Sequence, residues 1–117
     1  MKRKSTGSSK ERDIQNEILA WFAMYPRVFF AWRNNSVGIY DPVKRIHRRP
    51  PKFFVPGTGD IFVLCRDGLF ISIEVKRETG IVSQDQFKFI DKVNEFKGYS
   101  FVARSLKDVV DRLARMI

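Results

Sequence analysis

Asp60, Glu74 and Lys76 stand at intervals that could support phosphate chemistry, and the stretch joining them, "DIFVLCRDGLFISIEVK", reads as two strands around a turn. Asp67-Gly68 is the turn signal, and Gly68 can take the positive φ that closes a three-residue loop over 66–68. That loop predicts a register: Cys65 opposite Leu69, Leu64 opposite Phe70, Ile61 opposite Ile73, and Asp60 opposite Glu74. Directly opposed side chains share a face, with Cβ atoms about 4.5–5.5 Å apart. Lys76, two residues beyond Glu74, points to that same face.

Two carboxylates so close repel each other, and a divalent cation between them reverses the balance. Hard oxygen ligands at about 2.0–2.1 Å suit Mg²⁺ or Mn²⁺. Lys76 would then orient or activate a water, or stabilise charge developing on a phosphate. Glu-X-Lys alone in a strand is usually an exposed edge pair. What sets this one apart is the opposed Asp60, apolar neighbours on both strands, and Gly57 and Gly59, which remove bulk so that a backbone or ligand can approach.

The two strands are largely apolar on both faces, which predicts a central position covered by helices on each side. Residues 11–24 read as a helix with Ile14, Ile18, Trp21, Phe22 and Tyr25 at helical spacing and Pro26 as its stop. Glu17 falls at the edge of that apolar stripe. A strand follows over 27–34. Ser83 opens another helix, with Phe89, Val93 and Phe96 on one side and Gly98 past its end; Ser83 and Gln86 make a capping box. Residues 99–104 read as a strand. Ser105 caps a last helix whose apolar face is Leu106, Val109, Val110, Leu113 and Ile117. The order is α-β-β-β-α-β-α.

The net charge is +9, from 22 Lys and Arg against 13 Asp and Glu, and such an excess predicts an anionic partner, usually nucleic acid. The long 34–59 connection concentrates it: Lys44, Arg45, Arg48, Arg49 and Lys52 are interleaved with apolar residues in "KRIHRRPPKFF", a pattern suited to phosphates. His47 has no neighbour in sequence to orient it as a base. Residues 1–10 read as a disordered basic tail and 11–117 as one domain. The single Cys65 excludes an intramolecular disulfide and a Cys-rich zinc site, reads as a small buried hydrophobe, and fits a reducing cytoplasm. No apolar run approaches the ~18 residues of a membrane span, and no signal peptide opens the chain, so no membrane partner is expected.

"PGTGD" and "IEVK", continued by "GIVSQDQFKFIDKVNEFKGYSFVARSLKDVVDRL", resemble the VRR-NUC family (virus-type replication-repair nucleases) of the PD-(D/E)XK superfamily, in the standalone form similar to Holliday-junction resolvases. The resemblance covers most of 11–115. It implies an α/β, restriction-endonuclease-like αβββαβ core, with a mixed central sheet flanked by helices and a C-terminal helix. It implies Asp60, Glu74 and the Val75 carbonyl as metal ligands, Lys76 as the catalytic lysine, Glu17 as a further acid acting directly or through water, and Gln86 as an active-site glutamine. For Gln86 the cap and the active-site role both stay open. The implied activity is a Mg²⁺- or Mn²⁺-dependent DNA endonuclease that leaves a 5′-phosphate. It would act on branched DNA, a four-way junction or flap, in replication, repair or recombination in a bacterial or phage-infected cytoplasm. A non-catalytic nucleic-acid-binding module on the same fold and a sequence-specific restriction-type enzyme are the alternatives. Two symmetric cuts in a junction call for a homodimer, for which Ile39, Tyr40, Phe53, Phe54 and Val55 supply apolar surface.

Overall fold

The computed structural model describes residues 7–35, 40–41, 46–47 and 52–117, with backbone only for 7–9, 40–41 and 46–47. Lys44, Arg45, Arg48 and Arg49 lie outside the described residues. Helix α1 runs Gly7–Ala23, starting a turn before the Glu11 expected from the apolar spacing. The strands are β1 Phe29–Arg33, β2 Tyr40–Asp41, β3 Ile46–His47, β4 Ile61–Cys65, β5 Phe70–Val75 and β6 Tyr99–Ala103; α2 is Gln84–Glu95 and α3 Leu106–Leu113. β2 and β3 form a small antiparallel hairpin within the long connection, an addition to the expected elements.

The central sheet has the order β1-β4-β5-β6. β1/β4 and β4/β5 pair antiparallel, and β5/β6 parallel, so the sheet is mixed. The hairpin register is the expected one, with Ile61 opposite Ile73 and Leu64 opposite Phe70. The turn closes as its residues predict. Gly68 sits at φ 92°, the Asp67 carboxylate accepts the Leu69 amide at 3.1 Å, and the Cys65 amide donates to Leu69 O at 2.9 Å.

The two sheet faces differ. One buries Ile18 and Phe22 of α1 and Val109 and Leu113 of α3 against Ile61, Val63, Ile71, Ile73, Val75, Phe101 and Ala103. The other is covered by α2, chiefly over β5 and β6. There Asn94 bonds the Ser100 backbone through both ends of its amide, at 2.8 and 3.0 Å, and Phe89 packs 6.5 Å from Phe62. β5 is therefore buried on both sides, while Leu64 on β4 is 45% exposed. The last helix also ends sooner than its apolar pattern. The chain tightens into a 3-10 turn over Ala114–Met116, which breaks the ~100° periodicity, and Ile117 swings out to solvent.

Candidate active site

At the open end of the β4/β5 hairpin the ladder slips. The Asp60 amide donates to Ile73 O at 2.8 Å, and Asp60 O accepts from the Asn34 amide at 2.8 Å. Asp60 therefore sits just outside β4 rather than squarely opposite Glu74. Its Oδ2 accepts the Val75 amide at 2.7 Å. The two carboxyl groups still act on each other through charge. In an extended strand the N–H and C=O of one residue point the same way, so the Val75 carbonyl faces the Asp60 side too.

The glycines before Asp60 serve backbone approach. A Cβ on Gly57, at φ 75°, would lie 2.3 Å from the Asp85 carbonyl carbon, and one on Gly59 would lie 2.2 Å from Ser72 Oγ. The segment is thus pressed against the first turn of α2 and against β5. Asn34 pins it from the other side, donating through Nδ2 to Thr58 Oγ1 at 3.0 Å and Gly59 O at 2.9 Å.

Glu74 is 3% exposed. Its Oε1 accepts Gln86 Nε2 at 2.7 Å and lies 3.9 Å from Lys76 Nζ. Its Oε2 is buried with no hydrogen-bond partner. Gln86 caps the helix and reaches Glu74 at once: its carbonyl oxygen accepts the Ser83 amide at 2.8 Å while its NH₂ group holds Glu74. Lys76 is anchored through its amide to Ala103 O at 3.0 Å on β6.

Burial is the main force on both acids. It raises the Asp60 carboxyl above its ordinary value, against the lowering effect of the Val75 amide. Burial, followed by the Asp60 charge, pushes Glu74 from 4.5 up to about 9, with Lys76 pulling the other way. At neutral pH without a cation, Glu74 therefore holds a proton.

This has a consequence for stability. Glu74 binds its proton more tightly folded than unfolded, so its contribution is complete below about 4.5 and is lost as pH rises towards about 9. Each tenfold displacement of the ionisation is worth about 1.4 kcal/mol. In EDTA, the melting temperature should fall between pH 5 and 9 by roughly 5–10 °C more in the parent protein than in Glu74→Gln. Parallel melting curves for the two proteins would place the effect elsewhere.

Two carboxylates, one with an unpartnered buried oxygen, fit a small hard cation, which needs only one or two carboxylates beside water and phosphate. Among the described residues no group of three or more His, Cys, Asp or Glu side chains gathers as a larger metal cage. Glu17 is not brought to the acids: it is exposed and is not among the charges that act on them. The α1 acid that does act on both is Glu11, half-buried, with Oε1 near the Gly80 loop. Glu11 lies seven residues before the fully buried Ile18, two turns along the same face, whereas Glu17 is rotated ~100° from it. Lys52, of the basic connection, is exposed, 6.0 Å from the Phe53 ring centroid.

A solved structure described as a VRR_NUC domain is similar to this chain, with a TM-score of 0.61 and 19% identity, covering 91% of this chain and 95% of that one. The fold is that of a VRR_NUC domain. No family model matches the chain, and no curated protein matches it in sequence. Around the acids this VRR_NUC fold uses one further residue that sequence reasoning missed. Arg104, at the end of β6, donates through Nη1 to the carbonyls of Arg77 at 2.8 Å, Glu78 at 3.1 Å and Gly80 at 2.8 Å, holding the loop that follows Lys76.

Proposed function

We propose that this chain is a divalent-metal-dependent DNA endonuclease acting on branched DNA. The observation that supports it most is the buried Glu74–Asp60 pair, with its unpartnered Oε2, beside Lys76 on a VRR_NUC fold. Asp60, Glu74 and the Val75 carbonyl would hold Mg²⁺ or Mn²⁺. When bound, the cation would supply charge neutralisation at the scissile phosphate and a more acidic water. The protein groups divide the remaining work. Gln86 fixes Glu74 Oε1, and the Val75 amide fixes Asp60 Oδ2, so both carboxylates are pre-aimed. The Lys76 ammonium stabilises charge on the phosphate or orients the attacking water. Glu11 adds negative potential to the same end of the sheet and replaces Glu17 in this reading. The product would carry a 5′-phosphate.

Lys44, Arg45, Arg48, Arg49 and Lys52 would grip the DNA backbone. Neutralising two of them should make the log–log salt dependence of binding shallower by roughly 0.9 per lost contact; an unchanged slope would place the DNA elsewhere. A homodimer would present two sites to a junction, and exposed Phe53 and Val55, 92% and 52% accessible, suit such an interface. Light scattering that finds a monomer at micromolar concentration would remove the dimer. No helix among the described residues is long and apolar enough to cross a membrane.

The activity itself is tested with labelled linear duplex, flap and four-way-junction DNA in Mg²⁺, Mn²⁺ or EDTA. Cleavage of the branched forms with metal and none in EDTA is the expected result. Cleavage that persists in EDTA, or no cleavage of any substrate, would overturn the reading.

A further inference from the structure

The sheet face that holds Glu74 also holds a row of aromatic rings, half-buried at Phe62 and open to solvent at Trp32 and Phe30. α2 stops short of β1, and Phe30 is 69% exposed, Trp32 39% and Leu64 45%. The rings form a chain: Phe30 to Trp32 at 5.4 Å between centroids, and Trp32 to Phe62 at 6.0 Å. Cross-strand pairing explains it, since Phe30 lies opposite Leu64 and Trp32 opposite Phe62. Phe62 is two residues along the chain from Asp60, about 7 Å at strand rise. The row therefore starts beside the candidate catalytic acids. It ends at a shallow groove lined by Phe30, Leu64, Arg27 and Arg66, with no acid among its lining residues, and both arginines are exposed.

We propose that Phe30 and Trp32, backed by Phe62, form a stacking platform for unpaired bases of a DNA strand whose backbone runs from the Asp60–Glu74 end to Arg27 and Arg66. This rests on the nuclease reading above and narrows its substrate to DNA with unpaired nucleotides next to the cleaved bond. Three observations favour a nucleic-acid strand over a second protein copy. The surface is continuous with the acids on one sheet face. It is aromatic and bordered by cations in a chain of net charge +9, the combination that single-stranded nucleic acid recognises through stacking and phosphate contacts. And three exposed side chains cannot supply the roughly 800 Å² per partner that a stable protein interface needs.

The test is fluorescence anisotropy in EDTA with labelled dT12, rU12 and a blunt duplex, comparing the parent chain with Phe30→Leu/Trp32→Leu. Leucine keeps the apolar area and removes the π faces. The double variant should bind dT12 at least about 10-fold more weakly, as expected for lost base–aromatic stacking, and the blunt duplex within 2-fold of the parent. Phe30→Leu alone, at the more exposed ring, should show a smaller loss of the same kind and serves if the double variant misfolds. Equal losses on dT12 and duplex, or no loss on dT12, would overturn the platform. So would tighter binding of rU12 than dT12, or a parent dimer that Trp32→Lys splits into monomers. Binding without metal separates this from the nuclease reading. A chain that binds dT12 through these rings but cuts nothing keeps the platform and loses the nuclease. A chain that cuts DNA while the variants bind dT12 as the parent does keeps the nuclease and loses the platform.

Discussion

Asp60→Asn and Glu74→Gln are each expected to slow single-turnover DNA cleavage by about three orders of magnitude or more at saturating Mg²⁺. A metal's stabilisation of developing phosphate charge is worth several kcal/mol, and each ~1.4 kcal/mol is tenfold in rate. DNA binding in EDTA should hold in both variants and can tighten in Asp60→Asn, which removes a carboxyl that repels phosphate when ionised, whereas Glu74→Gln replaces a side chain that is already neutral there. Glu74→Gln should also fold well. The native side chain already holds a proton at neutral pH, and an amide oxygen in its place can accept from Gln86 Nε2. Loss of activity there is consequently a statement about chemistry rather than about folding. Full cleavage by either variant would remove the pair from the active site.

Lys76→Ala is expected to lower the single-turnover rate about 10²–10³-fold with DNA and metal saturating, the range seen when one pre-aimed stabilising group is lost. Saturating metal matters. The Lys76 charge opposes burial at Glu74 and also repels a cation at the same acids, so its removal shifts apparent metal affinity as well as the chemical step. Comparing apparent metal affinity with the saturated rate separates the two effects. Lys76→Arg should restore the metal dependence more than the rate, because a planar guanidinium replaces the charge but not the compact ammonium. A saturated rate equal to the parent's would leave Lys76 only its influence on Glu74.

Much of this site was legible because a hairpin turns local sequence into cross-strand geometry. Asp67-Gly68 fixed the register, and the register brought Asp60 and Glu74 together across the open end of the hairpin. The one-residue slip at Asp60 was not legible, since it depends on Asn34 and on two glycines pressed against α2 and β5, contacts distant in sequence. Gln86 could be read as a cap or as a site residue, and only the packing of α2 on β5 shows that one amide caps the helix and also bonds Glu74. The choice of α1 acid went astray because the expected helix began at Glu11, which hid that residue's place on the Ile14–Ile18 face. Arg104 left no local signal: it serves carbonyls more than twenty residues away, and a lone arginine after a strand has no period or motif. The basic connection was read from its length and from cations interleaved with apolar residues. The open aromatic face was mistaken for a covered one, because apolar residues on both sides of β4 look alike in sequence whether or not a helix reaches them.

Gln86 also sets how far this position can drift between related chains. Its carbonyl starts a helix and its NH₂ group holds a buried acid, so the amide has one usable orientation, and turning it over breaks both bonds. Glutamate would keep the helix start but set a carboxyl against Glu74, where one of the two must take a proton. Asparagine has the same two ends on a stem one carbon too short. Histidine has a donor and an acceptor but fixes them on a rigid ring. Leucine or methionine would match the bulk while leaving Glu74 and the Ser83 amide without their partner. Although Gln86 stands in the first turn of a helix in which no residue is fully buried, where substitution is ordinarily cheap, its usable alphabet is close to a single letter.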